Sequence, residues 1–200
     1  CTQPGGCWGG QQSGEKTGTI NGMKSPASFA SIDDETKRSR AIFDEMGKVF
    51  QHPRCTNCHP TGDSPLQGDE SRPHQPMVQR GEAGMGRPGM RCNTCHGSSN
   101  YRNVPGFPAW RLAPRQFGWA GQSLAAICKT LKGPAGGRSL QPVVSFIKNS
   151  HIVAYGWSPP GQYASAPGTH ERFGRLAEEW VASGAHCPKQ VDDRSEERRV

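Results

Sequence analysis

Apolar positions recur at helical spacing in four stretches, and no run alternates convincingly as a strand would. Ile42, Phe43, Met46, Val49 and Phe50 make the first stripe and predict an amphipathic helix. Ser31 followed by Asp34 resembles a capping box at its start, and Pro53 ends it. Leu124, Ile127, Cys128 and Leu131 make a second stripe, stopped by Gly133-Pro134. Leu140, Val143, Val144 and Ile147 make a third, with Pro142 tolerated in its first turn, and His151 extends that face by one turn. Phe173, Leu176 and Trp180 make the fourth, closed by Gly184. Residues 1–30 have no period and read as a flexible tether. Residues 55–120 are dense in Gly and Pro with little periodicity. So long an irregular stretch inside a domain needs another source of order, and a wrapped cofactor is one. The expected fold is mostly α with extensive loops and few or no strands. It comprises a tether over 1–30, one domain over 31–188 and a charged tail over 189–200.

Composition sharpens this picture. Only 32% of the 200 residues are hydrophobic, against 26 Gly and 17 Pro. A chain so poor in apolar side chains buries a small core of its own. Eight cysteines suit an oxidising compartment, a metal site or cofactor attachment. No apolar run approaches the roughly 18 residues of a membrane span. The sequence as numbered begins at Cys1 and continues into a polar Gly/Gln/Ser/Thr stretch. That pattern fits a lipoprotein acylated at Cys1 and tethered to a membrane; pairing of Cys1 with Cys7, or an arbitrary start to the numbering, is the alternative. The net charge of +7 is not read as a nucleic-acid signal. Much of it sits in short clusters such as Lys37-Arg38-Ser39-Arg40 and the run from Arg194 to Arg199, which suit solvated faces.

Two stretches carry the chemistry: Cys55-Thr56-Asn57-Cys58-His59 and Cys92-Asn93-Thr94-Cys95-His96. Both fit C-x-x-C-H, the signature of covalent haem attachment. Two thiols three positions apart reach the two vinyl groups of one haem, and the adjoining histidine lies under the ring to meet the iron. Composition alone yields such a match about 0.01 times in a chain of this kind. A Cys₄ zinc site is the rival, but 33 residues separate Cys58 from Cys92, longer than the roughly 15–20 of zinc ribbons. A thioredoxin-like pair would want a βαβ setting, which the pattern lacks. The expectation is two haem c groups, attached through Cys55, Cys58, Cys92 and Cys95, with His59 and His96 as proximal iron ligands.

The sixth ligands are open among several residues. His74, flanked by Pro73 and Pro76, is the first candidate, followed by His52 and His151, with Met77 and Met90 as sulfur alternatives. His170 reads as helix surface and His186 as structural. Tyr101, Phe107, Trp110, Phe117 and Trp119 cluster after the second motif and suit apolar cover for a haem edge. Cys128 and Cys187, on or just after predicted helices, are candidates for a disulfide.

With these residues in view, the chain resembles a family of small dihaem c-type cytochromes that accompany molybdenum hydroxylases as the cytochrome subunit of isoquinoline 1-oxidoreductase. The matching stretches include His52-Pro53-Arg54-Cys55, Asn57-Cys58-His59-Pro60, Pro65-Leu66-Gln67-Gly68, Arg80-Gly81, Met90 and the second C-x-x-C-H. Trp110-Arg111-Leu112-Ala113-Pro114, Gly156-Trp157 and Gly184-Ala185-His186-Cys187-Pro188 follow, so the resemblance covers roughly 45–188. Two positions depart: Tyr155 stands where tryptophan is expected, and Gln116-Phe117 where a methionine is, which makes position 117 a poor ligand candidate. The resemblance implies a dihaem cytochrome; it does not carry a neighbouring enzyme's catalysis to this chain. The function expected is one-electron transfer between an extracytoplasmic oxidoreductase and a downstream acceptor. The alternative is a wiring subunit bound permanently in a larger membrane or filament complex. Expected partners are redox proteins, such as a molybdenum hydroxylase or a membrane electron-transfer complex, and not nucleic acid. No paired acid and base marks an enzyme, and the expected compartment is the periplasm or another extracytoplasmic space.

Overall fold

The computed structural model of the protein describes residues 17–133 and 139–190. Cys1 and Cys7, and with them the lipidation expectation, lie outside the described residues, as does the tail beyond 190. The described chain is mostly helical, with two small hairpins.

Helix α1 (Glu35–Phe50) and helix α6 (His170–Ala182) form the centre of the core. Asp34, not Ser31, caps α1: its carboxylate accepts from the Lys37 amide at 2.9 Å. Thr169 caps α6 in the same way through the Arg172 amide. The predicted stripes face each other. Phe43 packs on Trp180 with ring centres 5.0 Å apart, and Phe50 meets Phe173 edge-on at 5.3 Å. Each such buried ring contributes about 1.5–3 kcal/mol from area alone. Helix α3 (Leu124–Lys132) crosses α1 at Gly47, where a Cβ would sit 2.5 Å from Leu124. Helix α4 (Gln141–Asn149) lies on α6. The Cys128–Cys187 disulfide predicted from sequence is present, joining α3 to the segment after α6. No described helix is long and apolar enough to cross a membrane.

The tether reading fails for its second half. Strands β1 (Thr19–Ile20) and β2 (Met23–Lys24) pair as a hairpin across Asn21-Gly22, both with positive φ. Met23 is fully buried and Phe29 nearly so. The buried Arg172 guanidinium donates to the Met23 carbonyl at 3.0 Å and locks the hairpin to α6. Two apolar residues in a polar run make no period, so pattern reading missed them; the Asn-Gly pair was the available signal.

The irregular region is held by its backbone. The short helix α2 (Pro53–Thr56) opens it, and strands β3 (Leu66–Gln67) and β4 (Arg72–Pro73) form the second hairpin. Buried Arg54 donates to the Gly68 carbonyl and to Asp69, both within 2.9 Å. Buried Arg80 donates to the carbonyls of Gly62 and Ala113 and faces Asp63 at 3.4 Å. These two guanidiniums do in the loops what apolar side chains do in the helical layer, since a buried charge must be paired.

Candidate functional site

Each C-x-x-C-H is one helical turn. In the first, His52 and Pro53 start α2, and the His59 amide donates back to the Cys55 carbonyl at 3.0 Å. In the second, the His96 amide donates to the Cys92 carbonyl at 2.9 Å. Residues three apart on such a turn share a face, so each motif presents its two sulfurs together. All four of these cysteines are free thiols. Burial pushes Cys55 up to about 12 and Cys58 up to about 11.

The two motif histidines are braced alike. His59 Nδ1 lies 2.7 Å from the Phe117 carbonyl, and His96 Nδ1 lies 2.7 Å from the Pro105 carbonyl. A carbonyl only accepts, so Nδ1 carries the proton and Nε2 keeps its lone pair. Each ring also lies flat on a tryptophan: His59 on Trp119 at 3.6 Å and 7°, His96 on Trp110 at 4.5 Å and 4°. Burial holds His59 down at about 4 and lowers His96 as well, so both rings are neutral near pH 7. A neutral, oriented imidazole with a free Nε2 is the form that binds a metal.

Position follows from the core. Phe50 meets Trp119 edge-on at 5.2 Å, so α1 sets the tryptophan that sets His59. Trp110 meets Tyr155 edge-on at 5.1 Å, and Tyr155 follows helix α5 (His151–Ala154) directly. A cavity of about 420 Å³ opens between the motifs, with Cys58, Cys92, Cys95, His96, His74 and Tyr155 among its walls. That lies within the roughly 300–1,000 Å³ usual for cofactor sites. Burial raises the Tyr155 hydroxyl to about 12, and the Arg54 guanidinium opposes the shift.

His74 is the sequence candidate that the structure brings to the site. Its Nδ1 lies 2.9 Å from the Pro76 carbonyl, the same arrangement as the motif histidines, and its ring centre is 6.0 Å from that of His96. Two imidazoles on opposite sides of one metal have ring centres about 6 Å apart, given metal–nitrogen bonds of about 2 Å. His52 is otherwise employed: its Nδ1 accepts the Arg54 amide at 3.2 Å as the cap of α2, which leaves the proton on Nε2. His151 is exposed and is not among the walls of this cavity. Ser150 is extended between α4 and α5, so His151 leaves the face of Val144 and Ile147 that the periodicity assigned to it. His170 Nε2 donates to the Ile147 carbonyl at 2.6 Å, and His186 Nε2 lies 3.4 Å from the Thr36 hydroxyl. Met77 is exposed, and Met90 stands half-exposed on the cavity rim. Among the described residues no three His, Cys, Asp or Glu side chains converge as a metal-holding group, so the four thiols do not form a Cys₄ cluster.

Sequence reading missed the two backbone carbonyls, because any residue supplies one. It took Trp110 and Trp119 for general cover; their direct contact with the motif histidines was not legible from spacing. Compared with protein-family models, curated proteins and solved structures, the chain finds no match.

One expected result follows from the second brace. Gly106 packs so tightly that a Cβ would sit 2.3 Å from the Ser99 carbonyl oxygen. In Gly106→Ala that clash displaces the neighbouring Pro105 carbonyl from His96 at a cost of about 1–3 kcal/mol. The expected readout is a shifted His96 imidazole resonance beside an unchanged His59 resonance. Two unchanged signals would show that the Pro105 contact does not set His96.

Proposed function

We propose that this protein is a dihaem c-type cytochrome that transfers single electrons in an extracytoplasmic compartment. The observation that carries this reading is the doubled site: two C-x-x-C-H turns, each with its histidine bonded through Nδ1 to a carbonyl and laid flat on a tryptophan. Two further facts support it. Cys128 and Cys187 pair with each other, so the chain suits an oxidising space, yet the four motif thiols stay unpaired. Thioether bonds to haem give those thiols a fate compatible with such a space.

Cys55, Cys58 and His59 would hold one haem, and Cys92, Cys95 and His96 the other. Haem iron supplies a one-electron couple whose potential depends on axial ligands, burial and nearby charge. The chain's own residues supply the rest. Nδ1–H bonds fix the tautomer and orientation of His59 and His96. Trp110 and Trp119 keep water from the imidazole faces. The buried Arg54 charge stands on the wall of the cavity and would disfavour added positive charge there, which favours the reduced state. His74 would help hold the second haem together with His96, on the 6.0 Å spacing of the two rings. The electron donor is an extracytoplasmic oxidoreductase; the family resemblance makes a molybdenum hydroxylase the first candidate.

The test is covalent stoichiometry. Protein made with a haem-maturation system should keep haem stain through denaturing electrophoresis, and its intact mass should exceed the bare chain by two haems. Cys92→Ala/Cys95→Ala should retain one covalent haem. Complete loss of haem on acid–acetone extraction would refute the reading.

A further inference from the structure

Charge is divided along this chain in an unusual way. Between Glu82 and Glu171 there is no acidic residue at all. That stretch, 83–170, holds nine of the 24 Lys and Arg and none of the 17 Asp and Glu. It is therefore +9, and the remainder, with 15 basic and 17 acidic residues, is −2. The whole positive excess belongs to the segment that contains the second motif.

The structure concentrates part of this at one place. Arg87, Arg91, Arg102 and Arg111 are all exposed, and among the described residues none of them pairs with a carboxylate. Arg91 lies on the cavity rim beside Cys92, with Met90 and Val104. Arg102 follows the exposed Tyr101, its guanidinium 5.6 Å from the ring centre, and Tyr101 pairs with Val104 in a β-bridge. Tyr101 is 68% exposed, Met90 40% and Val104 37%. The first motif offers no such surface: Arg54, Thr56 and Asn57 are buried around it, and Trp119 covers His59. The second site thus opens to solvent through a small apolar patch rimmed by unpaired arginines.

We propose that this rim, Met90, Arg91, Tyr101, Arg102 and Val104, is the docking surface for an acidic redox protein, and that electrons pass through the second haem. The inference rests on the dihaem reading above. Transient redox complexes are small, with an apolar centre where the cofactors approach and a charged rim that steers the encounter. Exposed arginines without a described carboxylate partner suit the steering part, because their charge stays available to an incoming protein. A nucleic acid would need a longer basic track, and a patch with apolar side chains at its centre suits it less well.

The test is electron exchange with a reduced plant-type ferredoxin, an acidic protein, followed in the holoprotein by stopped flow. Haem content is read first from the optical spectrum. Absence of haem overturns the dihaem reading and the docking proposal with it. With haem present, the second-order rate should fall at least about tenfold between about 20 mM and 500 mM salt. Arg91→Glu/Arg102→Glu should lower the low-salt rate about tenfold and flatten its salt dependence, while Lys24→Glu on β2 leaves both within about twofold. Amide shifts on adding ferredoxin should centre on Tyr101 and Val104. A rate that ignores salt, or a double variant that behaves as the native protein, overturns the docking surface alone. So does a 20-base-pair duplex that displaces ferredoxin from the same residues at physiological salt, which would assign the patch to nucleic acid.

Discussion

In the proposed dihaem holoprotein, His74→Ala should raise carbon monoxide binding after reduction by one equivalent per chain. All seven histidines lie among the described residues. Only His59, His74 and His96 have Nδ1 on a carbonyl oxygen and Nε2 left over. His52 and His170 use their rings in the opposite sense, His186 sits against Thr36, and His151 faces solvent. With His59 and His96 as the proximal pair, His74 is the histidine whose tautomer, location and 6.0 Å spacing suit a second bond to the iron above His96. Removing its imidazole leaves both thioethers of that haem in place and opens one coordination position. The affected potential should rise, since histidine in the sixth position favours the ferric state more than weaker ligands do. Difference spectra with carbon monoxide and a redox titration measure both effects. His52→Ala separates the candidates: it should leave carbon monoxide binding unchanged and lower stability by about 1 kcal/mol through loss of the α2 cap. Carbon monoxide binding in His74→Ala equal to that of the native protein would return the residue to the loop.

The helical layer was legible because each helix buries one stripe. Phe43, Met46 and Phe50 on α1, Ile127 and Leu131 on α3, Val144 and Ile147 on α4, and Phe173, Leu176 and Trp180 on α6 all fall inside as their spacing predicts. The Cys128–Cys187 pairing was legible as well, since these two cysteines outside the motifs lie on or just after predicted helices. Periodicity failed where order comes from something without a period. The hairpin at 19–24 is fixed by an Asn-Gly turn and one buried methionine. The loops over 57–120 are fixed by Arg54, Arg80 and carbonyl acceptors, whose partners lie far off in sequence. His151 shows the opposite error: a period carried one turn too far, across the extended Ser150. At the site, the residue types proposed to bind haem stand in the motif itself. The tautomer of each histidine depends on which backbone oxygen the fold delivers, and that is a property of the loops.

Removing the disulfide should have the largest effect on stability. Cys128 is fully buried on α3, and Cys187 follows the turn at Gly184, 59 residues later. The closed loop contains α4, α5 and α6, so the cross-link restrains about a third of the unfolded chain. Loop-closure entropy for that length amounts to about 4 kcal/mol. A domain of this kind has roughly 5–15 kcal/mol in all, so the bridge is a large share. Cys128→Ala/Cys187→Ala tests it without leaving buried hydroxyls. The segment after α6 keeps other ties: the His186 amide donates to Ser39 at 2.8 Å, Trp180 Nε1 to the His186 carbonyl at 3.1 Å, and Arg40 Nε to the Cys187 carbonyl at 3.1 Å. The variant should therefore fold to the same structure with a melting temperature lower by about 8–16 °C. Its haem content should not change, because both motifs and their braces lie within 52–119, outside the closed loop. Calorimetry and the optical spectrum on the same sample give the two readouts. A loss below about 1 kcal/mol would show that the three hydrogen bonds already close the loop in the unfolded ensemble or that the bridge is strained. Loss of haem alongside stability would show instead that α3 and α6 hold Trp119 against His59 only when the bridge is intact.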